Sequence, residues 1–81
     1  MINLNIETKL SPSEAAKKVK SYFSEGGLGL ELEEESQECL NFTGGGGYVN
    51  AVICPSGDKT SIELVSQEWE IQVRKFAETM S

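Results

Sequence analysis

The residues best suited to covalent chemistry in this chain are its two cysteines, Cys39 and Cys54. A thiol becomes a nucleophile when a nearby cation or a helix N-terminus lowers its pKa, and the neighbouring sequence supplies glutamates instead. The chain contains no histidine, which excludes Ser-His-Asp and Cys-His catalytic arrangements and any histidine-ligated zinc or haem. Two cysteines are also too few for a disulfide framework, and their spacing matches no metal knuckle. We expect inert reduced thiols, no catalytic residue, no metal and no cofactor, with a redox or metal role for the thiols as a minor alternative.

Clustered glutamates are the second group of residues that could do chemistry. Five of them lie close together in the sequence, Glu31, Glu33, Glu34, Glu35 and Glu38. Paired carboxylates can act as acid and base or hold a hard cation, but this run lacks the ligand spacing and the turning glycine of a calcium loop. The favoured interpretation is a solvated acidic edge that prevents strand-to-strand aggregation. A docking site for a basic protein partner is the alternative.

Four consecutive glycines, Gly44, Gly45, Gly46 and Gly47, form the most unusual segment of the chain. Glycine adopts positive φ without steric cost and lets a ligand or another chain approach the backbone closely. A phosphate-binding loop leads directly into a helix, whereas this segment connects two predicted strands. We therefore expect a flexible hairpin tip, with a functional contact loop as the alternative.

Length and charge narrow the functional classes further. A chain of 81 residues and 8.8 kDa is sufficient for one domain, which we place at residues 1–81. Thirteen Asp and Glu residues against seven Lys and Arg residues give a net charge of −6, which repels nucleic acid and anionic membranes. No segment approaches the roughly 20 apolar residues of a membrane span, and no cationic leader opens the chain. We expect a cytoplasmic protein that binds neither nucleic acid nor membranes.

The first half of the chain predicts a strand followed by a helix. Residues 2–8 alternate between apolar and polar side chains, which is the period of a half-buried strand. Ser11 then has the features of an N-cap, followed by Pro12 at the first helical position and Glu14 three residues after the cap. The apolar stripe of this helix predicts that it ends at Gly26 or Gly27.

The second half predicts four strands and a final helix. Alternating apolar residues indicate strands at 28–33, 38–43, 48–54 and 60–65, with turns at 34–37 and 55–59. Ser66 is the predicted N-cap of the last helix. Five residues of that helix share its apolar side: Trp69, Val73, Phe76, Ala77 and Met80. In this interpretation Trp69 anchors the helix against the sheet rather than stacking on a ligand.

The resulting order, β-α-β-β-β-β-α, predicts the fold class α+β. Each strand is apolar on one face, so we expect a five-stranded antiparallel sheet with both helices on one face, a two-layer sandwich. Hairpin connections and an edge position for the first strand give the strand order 1-5-4-3-2. This element order is similar to the helix-grip and TATA-binding-protein-like architectures. The resemblance is one of topology only, and it implies no more than a slightly raised expectation of ligand or partner binding.

The uncovered face of this sheet is the predicted working surface. A turn at residues 44–47 places Thr43 opposite Tyr48, Asn41 opposite Asn50 and Cys39 opposite Val52. Six further residues are expected on the same side: Asn3, Asn5, Glu31, Glu33, Glu63 and Val65. A mixed patch of apolar side chains and amides can receive a ligand or a second sheet. An ordinary solvated sheet face is the alternative.

The helices contribute two weaker candidates for contacts. Ile71 points away from the apolar stripe of the last helix, and such an isolated apolar residue can mark a helix-mediated contact. Lys17, Lys18 and Lys20 form a basic cluster on the first helix. In a dimer this cluster could meet the acidic hairpin of a second subunit, although a solvated helix face is the default interpretation.

The preferred functional hypothesis is a small, acidic, non-enzymatic binding module that uses the uncovered sheet face and the glycine segment. Its partner is another protein or a second copy of the chain. The candidate contact residues are Asn41, Gly44, Gly45, Gly46, Gly47, Tyr48, Asn50, Val52 and Ile71. The alternative is a helix-grip-type small-molecule binding protein or a lyase/isomerase-like enzyme. It would hold a small apolar ligand between the sheet and the C-terminal helix, with Tyr48, Tyr22 or a glutamate giving polar contacts.

Overall fold

The fold is α+β, with five antiparallel strands and two helices. A computed structural model describes residues 1–24, 27–36 and 38–80 of the chain. Its elements are β1 (Ile2–Thr8), α1 (Pro12–Phe23), β2 (Glu31–Glu35), β3 (Cys39–Gly44), β4 (Gly47–Ser56), β5 (Lys59–Gln67) and α2 (Glu70–Met80). The strands form one sheet in the order β1-β5-β4-β3-β2, and all adjacent pairs are antiparallel. The sequence-based prediction of the strand order is therefore confirmed.

Helix α1 begins where the sequence predicts. Ser11 has extended backbone angles, and its side-chain oxygen accepts a 3.3 Å hydrogen bond from the backbone N–H of Glu14. Pro12 occupies the first turn, where its missing N–H costs nothing. The helix ends at Phe23, and the N–H of Ser24 donates to the carbonyl oxygen of Lys20 at 3.0 Å. The end therefore comes earlier than predicted, and Gly26, one of the two predicted stop residues, lies outside the described residues.

The start of α2 differs from the prediction. Ser66 is not a helix cap, because it lies within β5, opposite Val49. Its side chain is fully buried, and its hydroxyl donates a 3.0 Å hydrogen bond to the carbonyl oxygen of Tyr48. This bond makes the burial of a polar side chain tolerable. The chain then turns at Glu68, which has a φ of 75°, and the helix begins at Glu70.

Strand β2 contains an irregularity that the sequence pattern did not predict. The register with β3 shifts by one residue before Glu34, so Glu34 lies opposite Asn41 and Glu35 lies opposite Leu40. Glu33 is the extra residue of this bulge, and Glu34 takes the position on the sheet that was predicted for Glu33. Part of the predicted turn at 34–37 is strand instead, and Gln37 lies outside the described residues. A bulge at the edge of a sheet twists the strand and discourages pairing with another chain.

Buried side chains from the sheet and from both helices form a single core cluster. Its members are Ile2, Ala15, Val19, Phe23, Leu30, Leu40, Phe42, Val49, Ala51, Ile53, Ile62, Leu64, Val73 and Phe76. Phe23 lies between the elements, with ring-centroid distances of 5.7 Å to Phe42 and 5.3 Å to Phe76. Burial of one such ring stabilises the fold by about 1.5–3 kcal/mol. The apolar side chains on one face of the sheet therefore pack against α1 and α2. The side chains that alternate with them point to the other face, where they can make other contacts.

Candidate functional site

The candidate site is the side of the sheet opposite the core cluster, which we call the open face. Strand alternation assigns to it Asn3, Asn5, Glu7, Glu31, Glu34, Cys39, Asn41, Thr43, Tyr48, Asn50, Val52, Cys54, Ser61, Glu63 and Val65. All of these residues are partly or fully exposed, whereas the core positions of the same strands are largely buried. The predicted pairings of Thr43 with Tyr48, Asn41 with Asn50 and Cys39 with Val52 are confirmed.

Two asparagines occupy the centre of the open face. The side-chain N–H₂ of Asn50 donates to the side-chain carbonyl oxygen of Asn41 and lies 3.6 Å from the Cys39 sulfur. Val65 lies opposite Asn50 on β5, and Val52 lies opposite Cys39 on β4. Because the polar groups at this centre already contact one another, covering them with a partner costs less desolvation than covering unpaired amides.

Carboxylates lie on two sides of this uncharged centre, on β2 and on β5. Glu34 lies opposite Asn41, Glu31 opposite Thr43, and Glu63 opposite Val52. Most of the positive charge lies elsewhere, since five of the seven Lys and Arg residues belong to the helices: Lys17, Lys18, Lys20, Arg74 and Lys75. The open face therefore combines an uncharged centre with an acidic rim.

The glycine segment forms a tight turn at one end of the open face. Gly44 pairs with Gly47, so only Gly45 and Gly46 form the loop, with φ values of 59° and 82°. Positive φ at both central residues is the requirement of a type I′ hairpin. A Cβ atom on Gly47 would lie 2.1 Å from the carbonyl oxygen of Gln67. The expectation of a four-residue flexible tip is thus replaced by a two-residue turn packed against the end of β5.

Trp69 holds this turn in position. Its indole N–H donates a 2.9 Å hydrogen bond to the carbonyl oxygen of Gly44. A Cβ atom on Gly45 would lie 2.8 Å from Cζ2 of the indole ring. The sequence predicts an anchor role for Trp69, and its half-buried ring does pack against the core cluster. Its contact with the glycine turn was missed, because no sequence spacing relates position 69 to positions 44 and 45.

Ile71 does not belong to the open face. It is 66% exposed and lies on α2, two residues before Val73, which is fully buried. Two residues span about 200° on a helix, so Ile71 faces away from the sheet. The structure therefore brings together Asn41, Tyr48, Asn50 and Val52 with the glycine turn, and it separates Ile71 from all of them.

The predicted cysteine geometry fits the observed register. Cys39 lies opposite Val52, and Cys54 is two residues further along β4, so the two cysteines are diagonal neighbours. Diagonal pairs are generally too far apart for a disulfide, and both thiols are free. Within residues 1–24, 27–36 and 38–80, no group of three or more Cys, Asp or Glu side chains could hold a metal ion.

The basic cluster of α1 contacts the acidic edge of its own chain. The Lys20 ammonium lies 2.6 Å from a carboxylate oxygen of Glu35. The bulge in β2 places Glu35 opposite Leu40, a core position, and so on the side of the sheet where α1 lies. The sequence-based hypothesis assigned Lys20 to a contact with the acidic hairpin of a second subunit. In the structure, Lys20 pairs with Glu35 of its own chain instead.

A cleft between the two helices is the second candidate site. Its volume is about 530 Å³, and it is lined by Thr8, Leu10, Lys18, Ser21, Tyr22, Gly27, Phe76, Thr79 and Met80. Tyr22 lines this cleft, whereas Tyr48, the other predicted polar contact for a small molecule, lies on the open face. The predicted ligand position between the sheet and α2 is occupied by Val73 and Phe76, which are 0% and 2% exposed.

Comparison with known proteins assigns no family to this chain. No family model matches the chain, and a search of curated proteins finds no match. Neither helix in the described part of the chain is long and apolar enough to cross a membrane.

Proposed function

We propose that this chain is a small, non-enzymatic protein-binding module whose open face receives a partner with an apolar centre and a basic rim. The observation that supports the proposal is the uncharged centre formed by Asn41, Asn50, Val52 and Val65 within the acidic rim. The glycine turn and Tyr48 border this surface and supply backbone and aromatic contacts. The whole-chain charge of −6 favours the approach of a basic partner.

A basic partner suits the open face better than a second copy does. Face-to-face packing of two copies brings two acidic rims together, and repulsion between their carboxylates opposes such a dimer. A partner with Arg or Lys at its periphery would instead pair with Glu31, Glu34 and Glu63. Such rim pairs raise the association rate more than the affinity, so complex formation should weaken as salt increases.

Several finer predictions belong with this proposal. They are a two-layer arrangement with both helices on one face, a topology of the helix-grip or TATA-binding-protein-like kind, and a single domain at residues 1–81. The cytoplasmic location inferred from composition also stays a prediction.

Native mass spectrometry of the protein purified from its own source tests the binding function. The expected result is a complex with a second polypeptide that dissociates as ionic strength rises. Val52→Lys places a charge at the uncharged centre and should abolish the complex. Ile71→Lys adds the same charge on the opposite side of the molecule and serves as the matched control, because it should leave the complex intact.

Two results would contradict the proposal. One is a complex that survives Val52→Lys and also Tyr48→Ser, because it would exclude the open face as the contact surface. The other is loss of the complex with Ile71→Lys alone, which would place the contact on α2. Circular dichroism of each variant establishes that the chain remains folded.

The alternative function is binding of a small apolar molecule in the cleft between α1 and α2. The observation in its favour is the cleft volume of about 530 Å³, which lies within the range of about 300–1,000 Å³ typical of ligand sites. Tyr22 lines this cleft and offers a hydroxyl for a polar contact, although the cleft is not the space between the sheet and α2 that the helix-grip or lyase/isomerase-like alternative predicts. An adduct of a few hundred daltons on the purified chain, lost in a Tyr22→Ala variant, would favour this function over the first.

A further inference from the structure

The two edges of the sheet are chemically different. Strand β2 forms one edge, and four of its five residues are glutamates: Glu31, Glu33, Glu34 and Glu35. It also contains the bulge described above. Charge and irregularity are the devices by which proteins prevent pairing at a sheet edge, so β2 is protected.

Strand β1 forms the other edge and has no bulge and a single charged residue. All seven of its residues pair regularly with β5, without a register shift, and β5 is its only neighbour in the described sheet. The strand contains neither lysine nor proline, and Glu7 is its one charged residue. Its outer backbone N–H and C=O groups are therefore available to a further strand.

Apolar side chains along this edge are incompletely covered. Leu4 and Ile6 are only partly buried, although their partners on β5, Leu64 and Ile62, are fully buried. Leu4 and Ile6 pack against the core cluster from its margin. An additional strand beside β1 would cover them and would extend the same core.

We propose that β1 pairs with β1 of a second copy, in antiparallel orientation, to form a continuous ten-stranded sheet. Overlap of all seven residues places Asn5 opposite Asn5 of the second copy and Leu4 opposite its Ile6. Asn3 then lies opposite Glu7 of the second copy. Leu4 and Ile6 are both apolar, Ile2 lies opposite Thr8, and the one carboxylate meets an amide rather than another carboxylate.

This self-complementarity is what selects a second copy as the occupant. In this register Leu4 and Ile6 lie opposite each other across the two-fold axis, and Asn5 lies on the axis opposite its own counterpart. A two-fold axis perpendicular to the sheet keeps the open faces of both copies on one side. The dimer therefore leaves the open face free for its partner and presents two copies of it side by side.

The register is tested by placing opposite charges at one exposed position. In Asn3→Lys, the new lysine of each copy lies opposite Glu7 of the other copy, so the symmetric dimer gains two Lys–Glu pairs. The dimer Kd should fall by about tenfold. Asn3→Glu faces the same carboxylate and should raise the Kd by a similar factor. Asn5→Lys places two ammonium groups opposite each other and should also weaken the dimer. The expected size for the unaltered chain is twice 8.8 kDa at high concentration.

Sedimentation velocity of the purified chain over a range of concentrations gives these constants. Amide hydrogen exchange adds an independent measurement, since the β1 amides should become more protected as concentration rises. A chain that stays at 8.8 kDa up to about 1 mM would overturn the proposal. So would a dimer whose Kd responds equally to Asn3→Lys and Asn3→Glu. The experiment uses the chain alone, so its failure would leave the proposed binding function of the open face untouched.

Discussion

The indole N–H of Trp69 donates a 2.9 Å hydrogen bond to the carbonyl oxygen of Gly44. Trp69 immediately precedes α2, and Gly44 is the last residue of β3. The bond therefore ties the start of the C-terminal helix to the hairpin that borders the open face. Because the ring also packs against Gly45, the glycine turn has a defined position rather than the freedom that its composition suggests.

Trp69→Phe tests this link. The substitution keeps an aromatic ring and removes the indole N–H that donates to the carbonyl oxygen of Gly44. We expect a loss of about 0.5–1.5 kcal/mol in the free energy of unfolding, the usual contribution of one hydrogen bond. Urea unfolding followed by circular dichroism measures it, because the chain has no other tryptophan to report by fluorescence. An unchanged urea midpoint would show that the bond does not contribute to stability.

Alanine substitutions at Gly45 and Gly46 separate backbone strain from packing. Both residues have positive φ, so each substitution should cost about 1–2 kcal/mol of unfolding free energy. A Cβ at Gly45 also lies 2.8 Å from the Trp69 ring, whereas a Cβ at Gly46 meets nothing within 4 Å. Gly45→Ala should therefore be the more destabilising change, and Gly46→Asn should be nearly neutral because asparagine tolerates this conformation. Equal effects of the two alanines in urea unfolding would contradict the packing of Trp69 on Gly45.

Thr60→Val tests a buried polar contact at the opposite end of the sheet. Thr60 is 1% exposed, and its hydroxyl donates a 2.6 Å hydrogen bond to the carbonyl oxygen of Leu10. Valine keeps the shape but not the donor, so we expect a loss of about 1–2 kcal/mol in unfolding free energy. Ser61→Ala is the control, because the Ser61 hydroxyl contacts Asn5 on the open face, where water can replace it. A Thr60→Val variant as stable as the original chain would show that this bond is not needed to fix the loop after β1.

Glu70 should make stability depend on pH in the acidic range. A hydrogen bond from its own backbone N–H is the main cause that lowers the pKa of this carboxyl, and the amino group of Met1, 3.3 Å away, lowers the pKa further. A carboxyl with a lowered folded-state pKa stabilises the fold above its unfolded-state pKa, and this contribution is lost as pH falls through the folded-state value. Glu70→Gln should therefore show a smaller loss of unfolding free energy on acidification.

Urea unfolding of both chains at a series of pH values measures this difference. Glu34→Gln removes an equal charge from the β2 edge and controls for the change in net charge. A carbon-detected NMR titration of Glu70 adds a direct measurement, and a midpoint at or above that of the unfolded chain would contradict the prediction.

Most of the sheet could be predicted because its signals are local. Alternation of apolar and polar residues marks strands, and the short turns at 44–47 and 55–59 determine which strands pair. The pairing of Asn41 with Asn50 follows directly from the hairpin between β3 and β4. For the same reason, the central residues of the open face could be named before the fold was known.

Features that depend on distant contacts could not be predicted in this way. Serine is a common helix cap, but the Ser66 hydroxyl donates a hydrogen bond to the carbonyl oxygen of Tyr48 on the neighbouring strand, and Ser66 is part of β5. Leu32 is the one apolar residue of β2, so the three glutamates that follow it carry no apolar–polar alternation that could reveal the bulge before Glu34. Glu35 thereby reaches the side on which Lys20 lies.

Local sequence patterns were enough to predict the element order, the antiparallel sheet and the residues of its uncharged centre, because period-two patterning and hairpin length act over a few residues. Three features appear only in the folded chain: the glycine segment is a tight turn against Trp69, Ser66 remains in β5, and β2 contains a bulge before Glu34. These outcomes depend on which side chains meet across the fold. These contacts join residues far apart in sequence, and no local sequence pattern predicts how such residues pack together.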